Sequence, residues 1–328
     1  MSQANIGFIV VGWNNENILG DCLESIALQN KVTSRTIYVD NDSKDNSVEI
    51  VRKKFPWVEI IRSPVNVGFA AGNNLAIAEL LKDENIQYIA LLNSDARLSQ
   101  SWTEELLEYA TRKPKGAMYQ GKTLDFYDQE IVDSTHIYIA QNGQGTQGSW
   151  RDLNVGHNVS HKVFGVNFAA CMISRKFIEE QPFKKLLDES FFMYLEDVDL
   201  SARATVMGWD NYFVPDAVAL HMGSISANKN PGFSLYMTYR NNLAMLIKNY
   251  TITSFLRMLP KILKSDLDTV RGLLKKRRYL AVRKLVSGRI VGVFRLPLYI
   301  GKTWKMHSFR IVNKRYLSQL MKEGKTAS

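Results

Sequence analysis

Ile86-Gln-Tyr-Ile-Ala-Leu-Leu-Asn-Ser-Asp95 is the stretch that decides the fold. Five of its first seven residues are aliphatic, and the run stops at three polar residues. A short apolar run with a polar terminus reads as a strand buried on both faces, with a loop at its carboxyl end. Upstream, the same kind of unit repeats. Ile6-Gly-Phe-Ile-Val-Val11 ends at Gly12, and Ile18, Leu19, Cys22, Leu23 and Ile26 follow at helical spacing. Thr36 to Val39 ends at Asp40 and precedes a helix carrying Val48, Ile50 and Val51. Val58 to Ile61 precedes a glycine-bearing loop and a helix from Leu75 to Leu81. Alternating strands and helices predict an α/β fold with a mainly parallel, Rossmann-like sheet and helices on both faces.

In open sheets of this type, ligands bind beyond the carboxyl ends of the strands. Four polar loops fall there: Gly12-Trp-Asn14, Asp40-Asn-Asp42, Asn66-Val-Gly-Phe-Ala-Ala-Gly-Asn-Asn74 and Asn93-Ser-Asp95. From about Asp125 to His161 the pattern weakens and reads as an irregular stretch that could cover a substrate. Pattern returns with Phe164 to Ser174 and with Phe191-Phe-Met-Tyr-Leu-Glu-Asp-Val-Asp-Leu200, where Asp197 precedes or opens a helix. A boundary between His221 and Pro231 divides residues 1–225 from a helical region, 226–328, whose first helix spans Leu235 to Tyr250.

Charge separates the two parts. Nineteen of the 42 basic residues follow Tyr250 against three acids, so the last 78 residues carry +16 and residues 1–250 carry −6. Leu259, Ile262, Leu263, Leu267, Val270, Leu273 and Leu274 recur at helical spacing among Arg257, Lys261, Lys264, Arg271 and Lys275. A basic amphipathic helix of this kind fits an anionic membrane surface, or packs between subunits of a homo-oligomer. The run Ile290 to Ile300 is too short to span a bilayer, which takes roughly 20 apolar residues. With no signal peptide or spanning segment read, the expected location is the cytosol, peripheral on the cytoplasmic face of the membrane. Cys22 and Cys171 stand alone in apolar patterns, which argues against disulfides and thiolate metal sites.

The chemistry-bearing residues are mainly acids at strand ends. Asp95 can hold a divalent cation while leaving positions for phosphate oxygens, although alone it serves equally well as a helix cap. Asp40 and Asp42 can accept the imide N–H of a pyrimidine base, with Ser43 and Asp45 reading as caps of the next helix. The small residues of the Asn66–Asn74 loop allow backbone N–H groups to approach phosphate or sugar. In Glu196-Asp197, one acid can face a cleft as a general base while the other is held by a structural partner. The preceding Phe191, Phe192, Met193 and Tyr194 would exclude water and raise the carboxylate pKa. His221, after Ala217-Val-Ala-Leu220, can bind a metal through neutral imidazole, and alone is more commonly structural.

Taken together, Ile9-Val-Val-Gly-Trp-Asn14, Val39-Asp-Asn-Asp-Ser-Lys-Asp-Asn-Ser47, Asn66-Val-Gly-Phe-Ala-Ala-Gly-Asn73, Leu91-Leu-Asn-Ser-Asp95 and Phe192-Met-Tyr-Leu-Glu-Asp-Val-Asp-Leu200 resemble the family 2 glycosyltransferases of GT-A fold, within their rhamnosyltransferase-like branch. The resemblance covers residues 5–225. It implies an inverting transferase whose donor site includes Val11, Asn14, Asp40, Asp42, Asn66, Gly68, Gly72, Asn73 and Ser94. It further implies Asp95 and His221 at a Mg²⁺ or Mn²⁺ ion, Asp197 as catalytic base, and Glu196, Tyr194 and Arg240 in acceptor-binding or supporting roles. Asn93 replaces the first acid of the family's Asp-X-Asp motif. The donor it implies is a nucleotide sugar, dTDP-L-rhamnose first and a UDP-sugar second. The basic tail points to a lipid-linked glycan acceptor of surface polysaccharide synthesis. A nucleotidyltransferase is disfavoured by the lack of a lysine-bearing phosphate loop near the first strand. A nucleic-acid binder is disfavoured because the tail has scattered aromatics and no recognition motif, so no nucleic-acid partner is expected.

Overall fold

The structure, a computed structural model, describes residues 5–29, 33–223, 232–313 and 316–323. The expected boundary between His221 and Pro231 falls largely on residues outside that description. The first half alternates as the sequence predicts: β1 (Asn5–Gly12), α1 (Leu19–Ala27), β2 (Thr33–Asp40), α2 (Ser47–Lys54), β3 (Glu59–Arg62), α3 (Gly68–Leu80), β4 (Ile86–Asn93), β5 (Ala96–Leu98) and α4 (Trp102–Thr111). The middle adds β6 (Gly116–Asp125), β7 (Val132–Ser134), β8 (His136–Ile139), β9 (Gly145–Gly148), β10 (His161–Val163), β11 (Ala170–Ser174), α5 (Arg175–Glu179), α6 (Glu196–Val206) and β12 (Asp210–His221). Five helices close the chain: α7 (Phe233–Asn249), α8 (Ile252–Lys275), α9 (Tyr279–Phe294), α10 (Pro297–Ser308) and α11 (Tyr316–Glu323).

Among the described residues, the main sheet has the order β10-β12-β6-β11-β4-β1-β2-β3, with β5 and β7 paired at its side to β12 and β6. β3, β2, β1 and β4 run parallel, and the antiparallel β11 joins them to the parallel pair β6 and β12. Alternation along β1 sends Ile6, Phe8 and Val10 into one buried cluster and Ile9 into another on the opposite face. Each face is covered by helices, as expected of parallel strands. The first cluster is completed by α1 and α4, and the second by α3, α6 and the C-terminal helices through Leu243, Leu246, Met258, Tyr299 and Met306.

Three sequence expectations change. Between Asp125 and His161 the chain is not irregular throughout, because β7 pairs with β6 and β8 with β9. These strands are only three or four residues long, too short for a period to stand out in the sequence, and β9 carries two glycines. The Asn66–Asn74 segment is mostly helix: α3 starts at Gly68, where Asn41 Oδ1 accepts from Val67 N at 2.8 Å and Asn66 Oδ1 from Gly68 N at 3.0 Å. Those side chains satisfy N–H groups at the helix entry and allow it to begin before Leu75. In α8, only Ile262 of the expected apolar stripe is buried, beside Phe255 and Met258, while Leu263, Leu267 and Leu274 face outward.

The tail is pinned to the sheet by buried charge. Lys248 of α7, with its side chain 1% exposed, lies 2.7 Å from Asp199 of α6 and 2.9 Å from Asp188, while Asp199 also pairs with Arg203 at 3.2 Å. Removing one member leaves an uncompensated buried charge, a loss of about 3–5 kcal/mol. Lys248→Met is therefore expected to lower unfolding stability by about that amount. Urea unfolding of the full chain measures it, and a loss below about 1 kcal/mol would contradict the pairing.

Candidate active site

A cleft of about 930 Å³ opens at the carboxyl ends of the strands. Its walls include Val11, Asn66, Ser94, Asp95, Tyr194, Glu196, Asp197 and His221 among the residues singled out from sequence, together with Trp13, Asn15, Asn41, Trp150 and Asn167. The volume suits a ligand larger than a single sugar, since small-molecule clefts run from roughly 300 to 1,000 Å³.

Strand pairing puts Asp95 beside His221. β5 runs antiparallel to the end of β12 with Ala96 opposite His221, and Met222 N donates to the carbonyl of Asp95 at 3.0 Å. Asp95 Oδ1 then lies 3.3 Å from His221 Nε2, and Asp133 Oδ2 lies 3.0 Å from His221 Nδ1. Asn93 Nδ2 is 3.5 Å from Nε2. Burial disfavours the imidazolium, but the hydrogen bonds to Asp133 and Asp95 outweigh it and push His221 up to about 10. A divalent cation at Nε2 would compete with that proton. The donor set fits such an ion: one carboxylate oxygen and one imidazole nitrogen, with the far ring nitrogen oriented by Asp133. No group of three or more His, Cys, Asp and Glu side chains among the described residues forms a closed metal cage. A cation here would therefore draw its remaining ligands from water and phosphate oxygens, as Mg²⁺ commonly does.

The Asp40 loop reaches the cleft through Asn41, while Asn14, Asp40 and Asp42 are not among its wall residues. Asp40 is 1% exposed, its Oδ1 accepts from Ser43 N at 3.2 Å, and its buried Oδ2 has no hydrogen bond, with Arg62 Nε 3.6 Å away. Asn14 supports this loop from beside it: its N–H donates to Ser43 Oγ at 3.0 Å and its Oδ1 accepts from Lys44 N at 2.7 Å. Asp42 turns outward in the left-handed region, φ 66°, and pairs with Lys44. Asp45, one position before the N-cap Asn46 of α2, accepts from Ser47 N through Oδ1 at 3.0 Å, and Ser43 Oγ accepts from Asn14 N. Gly72 and Asn73 lie in the packing of α3. A side chain at Gly72 would meet Val11, and Asn73 Nδ2 donates to Phe69 O at 2.9 Å.

Glu196 and Asp197 open α6 after a contorted turn. Phe192, Tyr194 and Leu195 all have positive φ, 65°, 71° and 71°. Such residues cost of order 1–3 kcal/mol each and persist only where the surroundings over-determine them. Gly68, φ 83°, fits against the turn because a Cβ there would lie 2.4 Å from Phe192 O. Burial raises the pKa of both acids, and the neighbouring Asp197 raises Glu196 further. Glu196 Oε2 is buried with no hydrogen-bond partner. Asp197 is partly exposed to the cleft, and its Oδ1 accepts from Val198 N at 2.7 Å. Arg240 is a support, donating to Ser190 O at 3.2 Å and Phe191 O at 2.5 Å.

Sequence reading did not identify Asp133. It lies 88 positions from His221, in the stretch whose strand pattern was illegible. Residues 8–180 match the family Glycosyl transferase family 2, and the chain belongs to that family. Its fold is GT-A. Two N-acetylglucosaminyl-diphospho-decaprenol L-rhamnosyltransferases of Mycobacterium tuberculosis, strains CDC 1551 / Oshkosh and ATCC 25618 / H37Rv, are each 23% identical to it over 250 residues, covering 70% of this chain and 80% of theirs. Among solved structures, the mannosyltransferase PcManGT from Pyrobaculum calidifontis, in complex with GDP-Man and Mn²⁺, aligns with TM-score 0.54 at 12% identity over 99% of this chain and 88% of that one. GalNAc-T7 with UDP, GalNAc and Mn²⁺ aligns with TM-score 0.56 at 14% identity over 74% of this chain, which spans about half (48%) of that structure's length. These similarities establish a glycosyltransferase.

Catalysis by an ionised Asp197 would carry its raised pKa into the pH profile. A base with a raised pKa is protonated, and lost, at higher pH than an exposed aspartate. The acid limb of kcat/KM is expected to have an apparent pKa above the ordinary value of about 3.9, with activity falling as pH falls through it. A limb at or below that value would contradict catalysis by Asp197 in its desolvated setting.

Proposed function

We propose that the protein is an inverting, metal-dependent rhamnosyltransferase, taking L-rhamnose from dTDP-L-rhamnose to a hydroxyl of a polyprenyl-diphosphate-linked glycan at the cytoplasmic face of an anionic membrane. The observation that carries the reading is that one cleft holds both the Asp95–His221 pair and, at the start of α6, a carboxylate raised toward neutrality. The rhamnosyl donor and lipid-diphosphate acceptor are favoured by the names of the mycobacterial relatives. A UDP-sugar donor, carrying galactosyl, galactofuranosyl or N-acetylhexosaminyl groups, is the second reading.

In this mechanism Asp40 Oδ2 accepts the imide N–H of the base, a partner of the type that oxygen lacks within the protein. Asp95 and His221 would hold Mg²⁺ or Mn²⁺, which when bound would supply charge neutralisation for a departing diphosphate. Asp197 takes the proton of the acceptor hydroxyl as its oxygen bonds to the anomeric carbon. The bond from that carbon to the diphosphate oxygen breaks on the opposite face, its electron pair leaves with the nucleoside diphosphate, and the configuration inverts. Desolvation of Asp197 keeps its proton affinity high.

The membrane assignment is supported by the outer face of the tail. Phe294, Trp304 and Ile311 are 80%, 77% and 78% exposed in a region of strong positive charge. No described helix is long and apolar enough to cross a bilayer. Apolar side chains among cations suit the headgroup boundary of an anionic surface. The full chain should float with anionic liposomes at low salt and lose that flotation with Trp304→Ser combined with Phe294→Ser; unchanged flotation would assign the attachment elsewhere.

Calorimetry with dTDP, UDP and GDP, with and without Mn²⁺, tests the donor. The expected result is metal-dependent preference for dTDP; preference for UDP selects the second reading, and no nucleotide binding overturns both. Asp133→Asn is expected to weaken Mn²⁺-dependent nucleotide binding about 10–100-fold by releasing the His221 ring. Asp197→Asn should abolish transfer while leaving nucleotide binding intact, and substantial turnover would remove Asp197 from the base role.

A further inference from the structure

The turn between Ser190 and Leu195 carries three left-handed non-glycine residues, yet each of its carbonyl oxygens has a partner. Ser190 O accepts from Arg240 Nη2 at 3.2 Å and Arg295 Nη2 at 3.0 Å. Phe192 O accepts from Ala70 N at 3.2 Å, and Leu195 O from Asp199 N at 2.9 Å. The carbonyls of Phe191, Met193 and Tyr194 converge on one amide, Asn241 Nδ2, at 3.0, 3.0 and 2.8 Å. Asn241 is 1% exposed on α7, and its Oδ1 accepts from Arg240 Nε at 2.9 Å. That donor fixes which end of the amide faces the turn, because the reverse orientation would set an oxygen against three carbonyl oxygens. The neighbouring Asn242 donates to Gly143 O at 2.6 Å, fastening the β8–β9 turn behind another wall of the cleft.

We propose that Asn241 is a positioning residue for the transfer reaction: its amide holds the Phe191–Tyr194 main chain in the conformation that presents Asp197 to the cleft. The inference rests on Asp197 being the base. An amide NH₂ has only two hydrogens, so the three carbonyls share them, and the turn keeps its left-handed residues only while that convergence persists. The C-terminal helices are thereby part of the catalytic apparatus as well as its covering. A misplacement of about 1 Å at a reacting group can cost on the order of 100-fold in rate. The contacts made by Asp40 with Ser43 and by Asp95 with His221 come from other loops than this turn.

The test uses the full chain, with Asn241→Asp, which keeps the shape but replaces the donor by an acceptor, and Asn241→Ala, which removes the amide. Both are measured beside wild type and Asp197→Asn, with the nucleoside diphosphate and sugar nucleotide that wild type accepts. The expected result is a fall in kcat of about 100-fold for Asn241→Asp, with nucleotide Kd and binding stoichiometry within twofold of wild type. Asn241→Ala falls less, about 10–100-fold, since it leaves carbonyls without partners but adds no repulsion. Hydrogen exchange of peptides covering residues 190–199 should accelerate in both variants while the β1 and β4 peptides stay protected.

Unchanged kcat or unchanged local exchange in Asn241→Ala overturns the inference. So does a binding stoichiometry that drops in proportion to kcat, which would make Asn241 a folding residue only. A fully active Asp197→Asn overturns the base reading, and with it the assignment of Asn241 to that base. An inactive Asp197→Asn beside a fully active Asn241→Ala leaves the base in place and removes only the clamp.

Discussion

The buried ammonium of Lys248, held between Asp188 and Asp199, is the constraint on which the arrangement depends. Charges so far from water persist only where partners and hydrogen bonds surround them, and here Lys302, Arg203, Ser190 and Asn249 complete the set. Burial disfavours the Asp188 carboxylate, but Lys248 and Lys302 overcome it and hold its pKa far below the usual range. The two carboxylates belong to the approach to the contorted turn and to α6, and the ammonium belongs to α7. The pairing therefore fixes the tail helices against the element carrying Glu196 and Asp197. Arg240, Asn241 and Asn242 lie about two turns earlier on the same helix, so fixing α7 also fixes them.

The other half of the cleft is built by sheet crossing. β12 runs parallel to β6 and antiparallel to β5, so its last residue arrives beside the turn that ends β4. His221 meets Asp95 for that reason, and β7, paired to the other side of β6, brings Asp133 to the far ring nitrogen. A carboxylate, an imidazole and an orienting carboxylate from distant segments thus form one hydrogen-bonded line. Asp197 reaches the cleft on a separate element. The Asp95–His221 pair and Asp197 are consequently held by separate elements of one cleft.

The C-terminal helices have two faces with different work. Inward, Leu243, Leu246, Met258, Tyr299 and Met306 enter the same apolar cluster as Ile9 and Leu91 of the sheet. Outward, α8 to α10 present Leu263, Ile290, Phe294, Leu298 and Trp304 to solvent. Residues joining the two faces are close in sequence. Arg295, next to the exposed Phe294, donates to Ser190 O, and Lys302, two residues from Trp304, pairs with Asp188.

Much of the fold was legible because parallel strands need apolar residues on both faces and end at polar loops, a local pattern visible from Ile6 to Asp95. Asp40 and Asp95 at those ends were legible for the same reason, and Asp197, at the start of α6, was legible because it follows an aromatic run. The start of α3 was not, since it depends on Asn41, whose side chain comes from another loop. The inward face of α8 was also hidden, because its sequence offers apolar residues on more than one side and only the packing surface selects Phe255, Met258 and Ile262. Asp133, Asn241 and Lys248 carry no local signal, as their partners lie 88, 47–50 and 49–60 residues away. The sequence by itself determined the α/β alternation, the family motifs and the acidic strand ends, all properties of neighbouring residues. Only the tertiary structure decided which histidine ring is oriented, which strained turn is clamped and which helix face is outward, because hydrogen bonding and burial depend on distances that folding alone sets.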